Sequence, residues 1–506
     1  MVSLERLATA NPWWSKGVEF AYQDEKLANV LNAENFTVER REIDLKPNNV
    51  YVIKGPRLVG KTTWLKIFVK SLLEKQAAQK EDILYFSFDE VKSSRELSNM
   101  LNSFLGNPHS GRTYLLLDEL QNVENFGSVL KNLYDTGKLR NVVTVITGSL
   151  AHTLYEPGRG SEGNVYYMRT ATFNAFVQGM LHDVETRHGV NRLNQLLGYT
   201  FSNKEAESLL ALLEEGIDIE SDIKKIYAKA NEAGPYIVPL NKLFYIYLRT
   251  GGYPDALNRY VRNLRGGKPE RIDNEIYARI LNYLKTDAAM LAGKGAGDTA
   301  IATRVLDSVL GHVGMKVSYA KMAREMDANN VTFTRYISRL EDSFAFIILN
   351  GLDESLKKRE TKKLYFSDVF MHYSIGAAES GKSGSVFSEE SLNSTMIGSL
   401  VEEAAISNLM QIKEEDQMRE YGTYLGFYHS QSGKEIDFIY VRNNGSAVGI
   451  EVKYQAGINL KSDLKRISAI TEYIIMSRDE IGLYGQTAVV PACILLALVK
   501  KSPHNL

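Results

Sequence analysis

The chain has 506 residues, of which 44% are hydrophobic, and a formal net charge of -1. That length buries several cores, so three or four domains are expected, and the near-neutral balance excludes a globally basic nucleic-acid coat. A single cysteine, Cys493, excludes an internal disulfide and a cysteine-built zinc site, which fits a reducing compartment.

No apolar stretch of signal-peptide length follows Glu5 and Arg6, and the longest apolar candidate, Ala488 to Val499, is broken by Pro491. A cytoplasmic chain with no membrane partner is therefore expected. Near the start, NPWW (Asn11 to Trp14) offers two tryptophans that read as packing anchors or as stacking surfaces for a base.

The strand pattern at Val52 ends in Gly55 and runs through GPRLVGKTT (Gly55, Pro56, Arg57, Leu58, Val59, Gly60, Lys61, Thr62, Thr63) into a helical pattern from Trp64 to Leu73. The spacing G-x-x-x-x-G-K-T is that of a phosphate-binding loop, because successive backbone N–H groups wrap a polyphosphate and glycine permits the close approach. Lys61 then reaches the β and γ phosphates, Thr62 ligates Mg²⁺, and the following helix offers its N-terminal dipole.

Ile83 to Phe88 (ILYFSF) reads as a second buried strand. Thr113 to Glu119 (TYLLLDE) is a third that delivers two carboxylates, Asp118 for the Mg²⁺ shell and Glu119 to polarise the attacking water. Asn141 to Ser149 (NVVTVITGS) is another strand with a polar end. Thr147 or Ser149 there bonds the water or the γ-phosphate, or else Ser149 caps a helix. Arg159, in the glycine-rich EPGRGSEG, is a candidate arginine finger acting in cis or toward a neighbour; a solvated loop arginine is the alternative.

From Phe173 to Leu291 the periodicity is helical and suggests a lid. It is interrupted at RTGGYP (Arg249 to Pro254), where Arg249 reads as a γ-phosphate sensor or as a solvated side chain. Ser318 to Phe366 carries two helical patterns and a hairpin, the plan of a winged helix-turn-helix. Arg335 and Arg339 share a helix face, and Lys357, Lys358, Arg359, Lys362 and Lys363 sit in the hairpin. Double-stranded DNA is the functional reading of that basic patch, and a solvated hairpin tip the plain one. Ala377 to Asn393, rich in Gly and Ser, reads as a linker or loop.

In the last segment, GKEIDFIY (Gly433 to Tyr440) and AVGIEV (Ala447 to Val452) pair as a hairpin that brings Asp437 beside Glu451 and Lys453. Two carboxylates on such strands can bind a divalent ion that stabilises a scissile phosphate while the lysine orients or deprotonates water; acids and a lysine alternating with apolar residues are equally what a half-exposed strand presents. Glu402, on the preceding helix, is placed to complete a second site for Mg²⁺ or Mn²⁺.

In order, NPWW, GPRLVGKTT, LLLDELQ (Leu115 to Gln121), ITGS (Ile146 to Ser149), GGYP (Gly251 to Pro254), EIDF and EVK resemble the archaeal AAA-type ATPases whose C-terminal domain of unknown function is similar to restriction-endonuclease-like folds. The resemblance implies an α/β protein. Its expected parts are a P-loop NTPase core with a parallel sheet (1–172), a helical lid (173–300), a winged helix-turn-helix (301–376) and a C-terminal α/β nuclease-like domain (377–506). It also implies ATP as the nucleotide, and an arginine supplied in trans implies a homo-oligomer. Two functions stand. One is an ATP-hydrolysing enzyme joined to a DNA-binding winged helix and a metal-dependent nuclease. The other is a nucleotide-gated DNA-binding or regulatory switch whose C-terminal domain is not catalytic.

Overall fold

The computed structural model describes residues 4–31, 43–149, 164–183, 190–268, 272–290, 296–393, 396–412, 424–430 and 433–500. The chain divides into two compact units. One is built on the residues up to Arg169 with Asp342–Phe344, and the other on Thr170–Glu341 and the chain from Ala345.

The first unit is a five-stranded parallel sheet of β1 (Asn49–Lys54), β2 (Ile83–Ser87), β3 (Thr113–Asp118), β4 (Val142–Gly148) and β5 (Val165–Tyr167), in the order β2-β3-β4-β1-β5. β3 and β4 are buried along their whole length, as a parallel strand covered on both faces must be, which accounts for their unbroken apolar runs. Helices Lys61–Glu74, Ser94–Leu105 and Phe126–Asp135 make the crossovers. The core joins Leu97, Leu101, Phe126 and Leu130 of two of these helices to Leu84, Leu115 and Ile146 of the strands. Because the strands are parallel, the ends of β1, β3 and β4 open on one edge, where a ligand site is expected.

An edge strand exposes unpaired backbone groups, and β2 lies at such an edge. The NPWW segment covers it. Asn11, fully buried, accepts from the Tyr85 N–H at 2.7 Å and donates to the Tyr85 carbonyl at 2.9 Å, standing in for a neighbouring strand. Trp13 and Trp14 both donate from Nε1 to the Ile83 carbonyl, which makes them anchors.

In the second unit, helices Phe173–Asp183, Asn203–Glu215, Ile237–Thr250 and Asn274–Met290 precede a nine-stranded mixed sheet. Its strands are β6 (Lys316–Val317), β7 (Phe346–Leu352), β8 (Lys358–Phe366), β9 (Leu425–His429), β10 (Glu435–Val441), β11 (Ala447–Val452), β12 (Glu472–Ser477), β13 (Gly482–Tyr484) and β14 (Thr487–Pro491), in the order β13-β14-β12-β11-β10-β9-β7-β8-β6. β7 pairs with β9 in parallel, so the hairpin read as a wing and the C-terminal strands form one sheet.

The stretch 377–393 is not a linker. Helices Val369–Ser380 and Gly384–Leu392 run through it, and glycines permit close packing: a Cβ on Gly384 would meet the Tyr277 ring at 2.1 Å, and one on Gly376, just before the stretch, the Phe387 ring at 2.3 Å. The serines turn their hydroxyls back on the helix, Ser388 to the Ser385 carbonyl and Ser391 to the Phe387 carbonyl.

The GGYP turn is a structural clasp. Gly252 N–H donates to Asp368 Oδ2 at 2.8 Å, its carbonyl accepts from the Ala171 N–H at 2.9 Å, and Gly251 sits at φ 56. A Cβ on Gly252 would lie 2.2 Å from the Ala171 carbonyl oxygen, a backbone atom that cannot swing aside. Gly252→Ala is therefore expected to destabilise the fold by more than about 2 kcal/mol, read as a lowered urea midpoint at unchanged slope.

Candidate functional site

The loop after β1 owes its course to two glycines. A Cβ on Gly55 would sit 2.0 Å from the Met168 carbonyl oxygen, and Gly60 takes φ 102, which only glycine adopts freely. Pro56, Arg57 and Leu58 form the bend between them, Val59 is buried beneath it, and Lys61, Thr62 and Thr63 open the helix. The Lys61 ammonium, 4% exposed, donates to the Gly55 carbonyl at 2.9 Å and the Pro56 carbonyl at 2.8 Å, and lies 3.6 Å from Glu119 Oε1.

The fold brings the two sequence motifs together. Asp118, the last residue of β3, accepts the Thr62 hydroxyl at 2.7 Å, and the Thr147 hydroxyl of β4 donates to its other oxygen. Glu119 is in the left-handed region at φ 53, costly for a non-glycine residue, and from there its carboxylate faces Lys61. Its backbone N–H donates to Thr147 Oγ1 at 3.1 Å, and Gln121 Nε2 donates to its carboxylate and to Ser149 Oγ at 3.3 Å. Thr147 of β4 and Ser149, just after it, thus both belong to the network.

The two acids differ in charge environment. Burial pushes the Asp118 carboxyl up, as does the adjacent Glu119, and the hydroxyls of Thr147 and Thr62 and the charge of Lys61 only partly offset this. Burial pushes Glu119 up as well, but Lys61, Gln121 and Arg57 outweigh it and hold its carboxyl below the ordinary value. Glu119 is thus ionised at neutral pH, whereas Asp118 is under-compensated. A buried carboxylate short of positive charge, with a hydroxyl at 2.7 Å, is a donor set that fits a hard hydrated cation such as Mg²⁺.

In the sequence Tyr85 stands only as part of a buried strand, yet its hydroxyl donates to Asp118 Oδ2 at 3.0 Å. Burial and the Asp118 charge hold the phenol far above its ordinary value, so it stays a donor. Arg159, and the helix expected after Ser149, lie outside the described residues. Arg249 is not free to sense a phosphate: both arms of its guanidinium engage Glu389, at 2.9 and 2.7 Å.

A second cluster lies on the nine-stranded sheet. The pairing of β10 with β9 shifts register between Ile436 and Ile439, and Asp437 falls in that irregularity. Such irregularities re-aim side chains. Asp437 Oδ2 accepts the Val452 N–H at 2.8 Å, and Lys453 Nζ lies 3.7 Å from it and 2.9 Å from Glu451 Oε2. Glu451 is 2% exposed, and its Oε1 has no hydrogen-bond partner. Burial, then the Asp437 charge, push Glu451 up to about 8 and Glu402 up to about 7.

The expected convergence of Glu402, Asp437 and Glu451 on one ion is not formed. Among the described residues no group of three or more His, Cys, Asp or Glu side chains is placed to hold a metal ion. The reason is the presence of lysines: Lys453 engages Asp437 and Glu451, and Lys363 lies 3.5 Å from Glu402 Oε1 and also pairs with Glu435. As positioned, these carboxylates do not fit a shared divalent ion. Lys363 is thereby removed from the hairpin patch. Lys357, Lys358 and Arg359 are exposed, Lys362 lies over the Tyr319 ring at 4.8 Å, and Lys363 is 1% exposed.

Strand order, loop and paired acids are consistent with a P-loop NTPase core in the first unit, and residues 47–175 match the AAA domain family. Residues 241–380 and 397–494 match two domains of unknown function, DUF8612 and DUF4143. The chain is 25% identical over 467 residues to the uncharacterized protein MJ1637 of Methanocaldococcus jannaschii, covering 89% of this chain and 85% of that one. Among solved structures, Cdc6p from Pyrobaculum aerophilum is similar at TM-score 0.24 and 12% identity, covering 77% of this chain and 98% of that one. PCH-2 of C. elegans is similar at TM-score 0.26 and 12% identity, covering 51% of this chain and 63% of that one. Likenesses of that size carry no argument about the site. Among the described residues no helix is long and apolar enough to cross a membrane.

Tyr85→Phe removes one of three hydroxyls from Asp118 and is expected to raise the Mg²⁺ concentration that half-saturates ATP binding by about three- to tenfold. Titrating Mg²⁺ against a fluorescent ATP analogue checks this, with metal-free affinity unchanged.

Proposed function

We propose that the chain binds and hydrolyses ATP at the loop Gly55 to Thr63 and couples nucleotide state to contact with double-stranded DNA. The observation that carries the first half is the meeting of Thr62 with Asp118 at 2.7 Å, with Glu119 3.6 Å from Lys61. Residues remote in sequence are thereby gathered as phosphate transfer to water requires. Lys61 is in the position from which an ammonium reaches phosphate oxygens, and its present carbonyl partners are the loop's own. A phosphate that claims Lys61 frees Glu119, already ionised, to orient water. Asp118 and Thr62 hold the ion side, where Mg²⁺ when bound neutralises charge on the phosphate oxygens. Arg159 is proposed as the arginine that completes the site, in cis or from a second copy.

The DNA half is supported by helices Tyr319–Glu325 and Asn330–Asp342 followed by strands β7 and β8, with β6 on the free edge of β8. Read together, these support a winged helix-turn-helix. Exposed Lys357, Lys358 and Arg359 surround the hairpin tip, and Arg335 is exposed on the second helix. Asp353 fixes that tip by accepting the N–H groups of Ser355 and Lys357. A second reading, cleavage of nucleic acid by the C-terminal strands, is favoured by one observation, the placing of Asp437 beside Glu451 and Lys453. It requires the lysines in that cluster to give way.

Glu119→Gln should bind ATP with parent affinity and lose turnover by about 100-fold or more. Turnover at the parent rate would remove Glu119 from the role. Reversing Lys357, Lys358 and Arg359 to Glu should weaken duplex binding and lower the slope of log affinity against log salt by about 3. An unchanged slope would leave the hairpin tip as plain surface.

A further inference from the structure

Lys363 lies on β8, the strand that opens with the exposed Lys358 and Arg359, but its ammonium is buried in the C-terminal carboxylate cluster. It pairs with Glu435 of β10, lies 3.5 Å from Glu402 Oε1 and stands over the Phe427 ring at 5.3 Å. Tyr365, two residues on along the same face of β8, donates its hydroxyl to Glu402. The groups facing one another are thus four carboxylates, Glu402, Glu435, Asp437 and Glu451, and two ammonium groups, Lys363 and Lys453. Counted as ionised groups they leave two net negative charges, but burial pushes Glu451 up to about 8 and Glu402 up to about 7, so at neutral pH protons supply part of the balance.

A buried ammonium is costly unless carboxylates surround it, and a carboxylate engaged by an ammonium is not available to a metal. We propose that Lys363 is the resident counter-ion of this cluster: it takes the place at Glu402 that a divalent cation would claim and keeps the carboxylates from closing on one ion. Lys453 holds the opposite side, against Asp437 and Glu451. The cluster is therefore a set of ion pairs while Lys363 is in place, and a divalent-cation site once its charge is removed. The strand that carries the counter-ion also presents basic side chains at the hairpin tip. The inference rests on the cluster's geometry and does not require that the chain cut nucleic acid.

The test is Mn²⁺ binding to the full chain without nucleotide, followed by the electron paramagnetic resonance signal of free Mn²⁺. The parent, Lys363→Met and Lys363→Arg are compared, each with and without Asp437→Ala, so that ions held elsewhere are subtracted. Lys363→Met should bind Mn²⁺ in an Asp437-dependent manner at least about tenfold more tightly than the parent, because one unit charge close to the ion has been removed. Lys363→Arg should behave as the parent. Lys363→Gln, which keeps polar contacts to Glu402 and Glu435, decides the matter if the methionine variant does not fold, as judged by circular dichroism and retained ATP binding. Equal Mn²⁺ affinity in the parent and the neutral variants, or a gain shared by Lys363→Arg, overturns the proposal. A parent that cleaves no DNA while a neutral variant gains the site leaves it standing.

Discussion

Asp118 is a carboxylate almost fully withdrawn from water, and three hydroxyls converge on it: Thr62 from the helix after the loop, Tyr85 from β2 and Thr147 from β4. Burying such a charge costs several kcal/mol unless donors replace water. The donors come from three elements, so the register of β2, β3 and β4 and the start of the helix Lys61–Glu74 must all be correct for the site to exist. The clamp reaches the N-terminal segment as well, because Asn11 holds the backbone of Tyr85 on both sides. The hydroxyls hold the carboxylate ionised and oriented, and that is what keeps it available to a cation.

Glu119, one residue on, is under the opposite regime. Its strained backbone turns the carboxylate to Lys61, and that charge with Gln121 keeps it ionised. Two adjacent acids thus differ in role because one faces hydroxyls and the other an ammonium. The second unit repeats the theme with a different outcome. There lysines stand among the carboxylates of Asp437, Glu451 and Glu402, and the same chemistry of compensation yields ion pairs.

Much of this was legible in the sequence because it is written in local patterns. The unbroken apolar runs of β3 and β4 announce strands covered on both faces, and Gly55, Gly60 and Lys61 announce the loop. Asp437 beside Glu451 and Lys453 follows from an antiparallel hairpin of ordinary length. What was hidden depends on long-range placement. Tyr85 stands in an apolar strand like any core aromatic, and only the pairing of β2 with β3 brings its hydroxyl to Asp118. Lys363 sits in a run of basic residues, and the alternation of β8 sends it inward. Residues 377–393 carry the composition of a linker, but Gly384 among them admits the Tyr277 ring, and Gly376 just before them the Phe387 ring. Arg249 looked available until the fold set Glu389 against it.

The most direct test of the central claim is phosphate release from ATP by the full chain, with Lys61→Ala measured beside it under the same Mg²⁺. The account predicts steady release by the parent and none above background in the variant, because the loop loses the ammonium that would reach the phosphate oxygens. Equal release by both proteins, or none by the parent with Mg²⁺ and duplex DNA present, would contradict it.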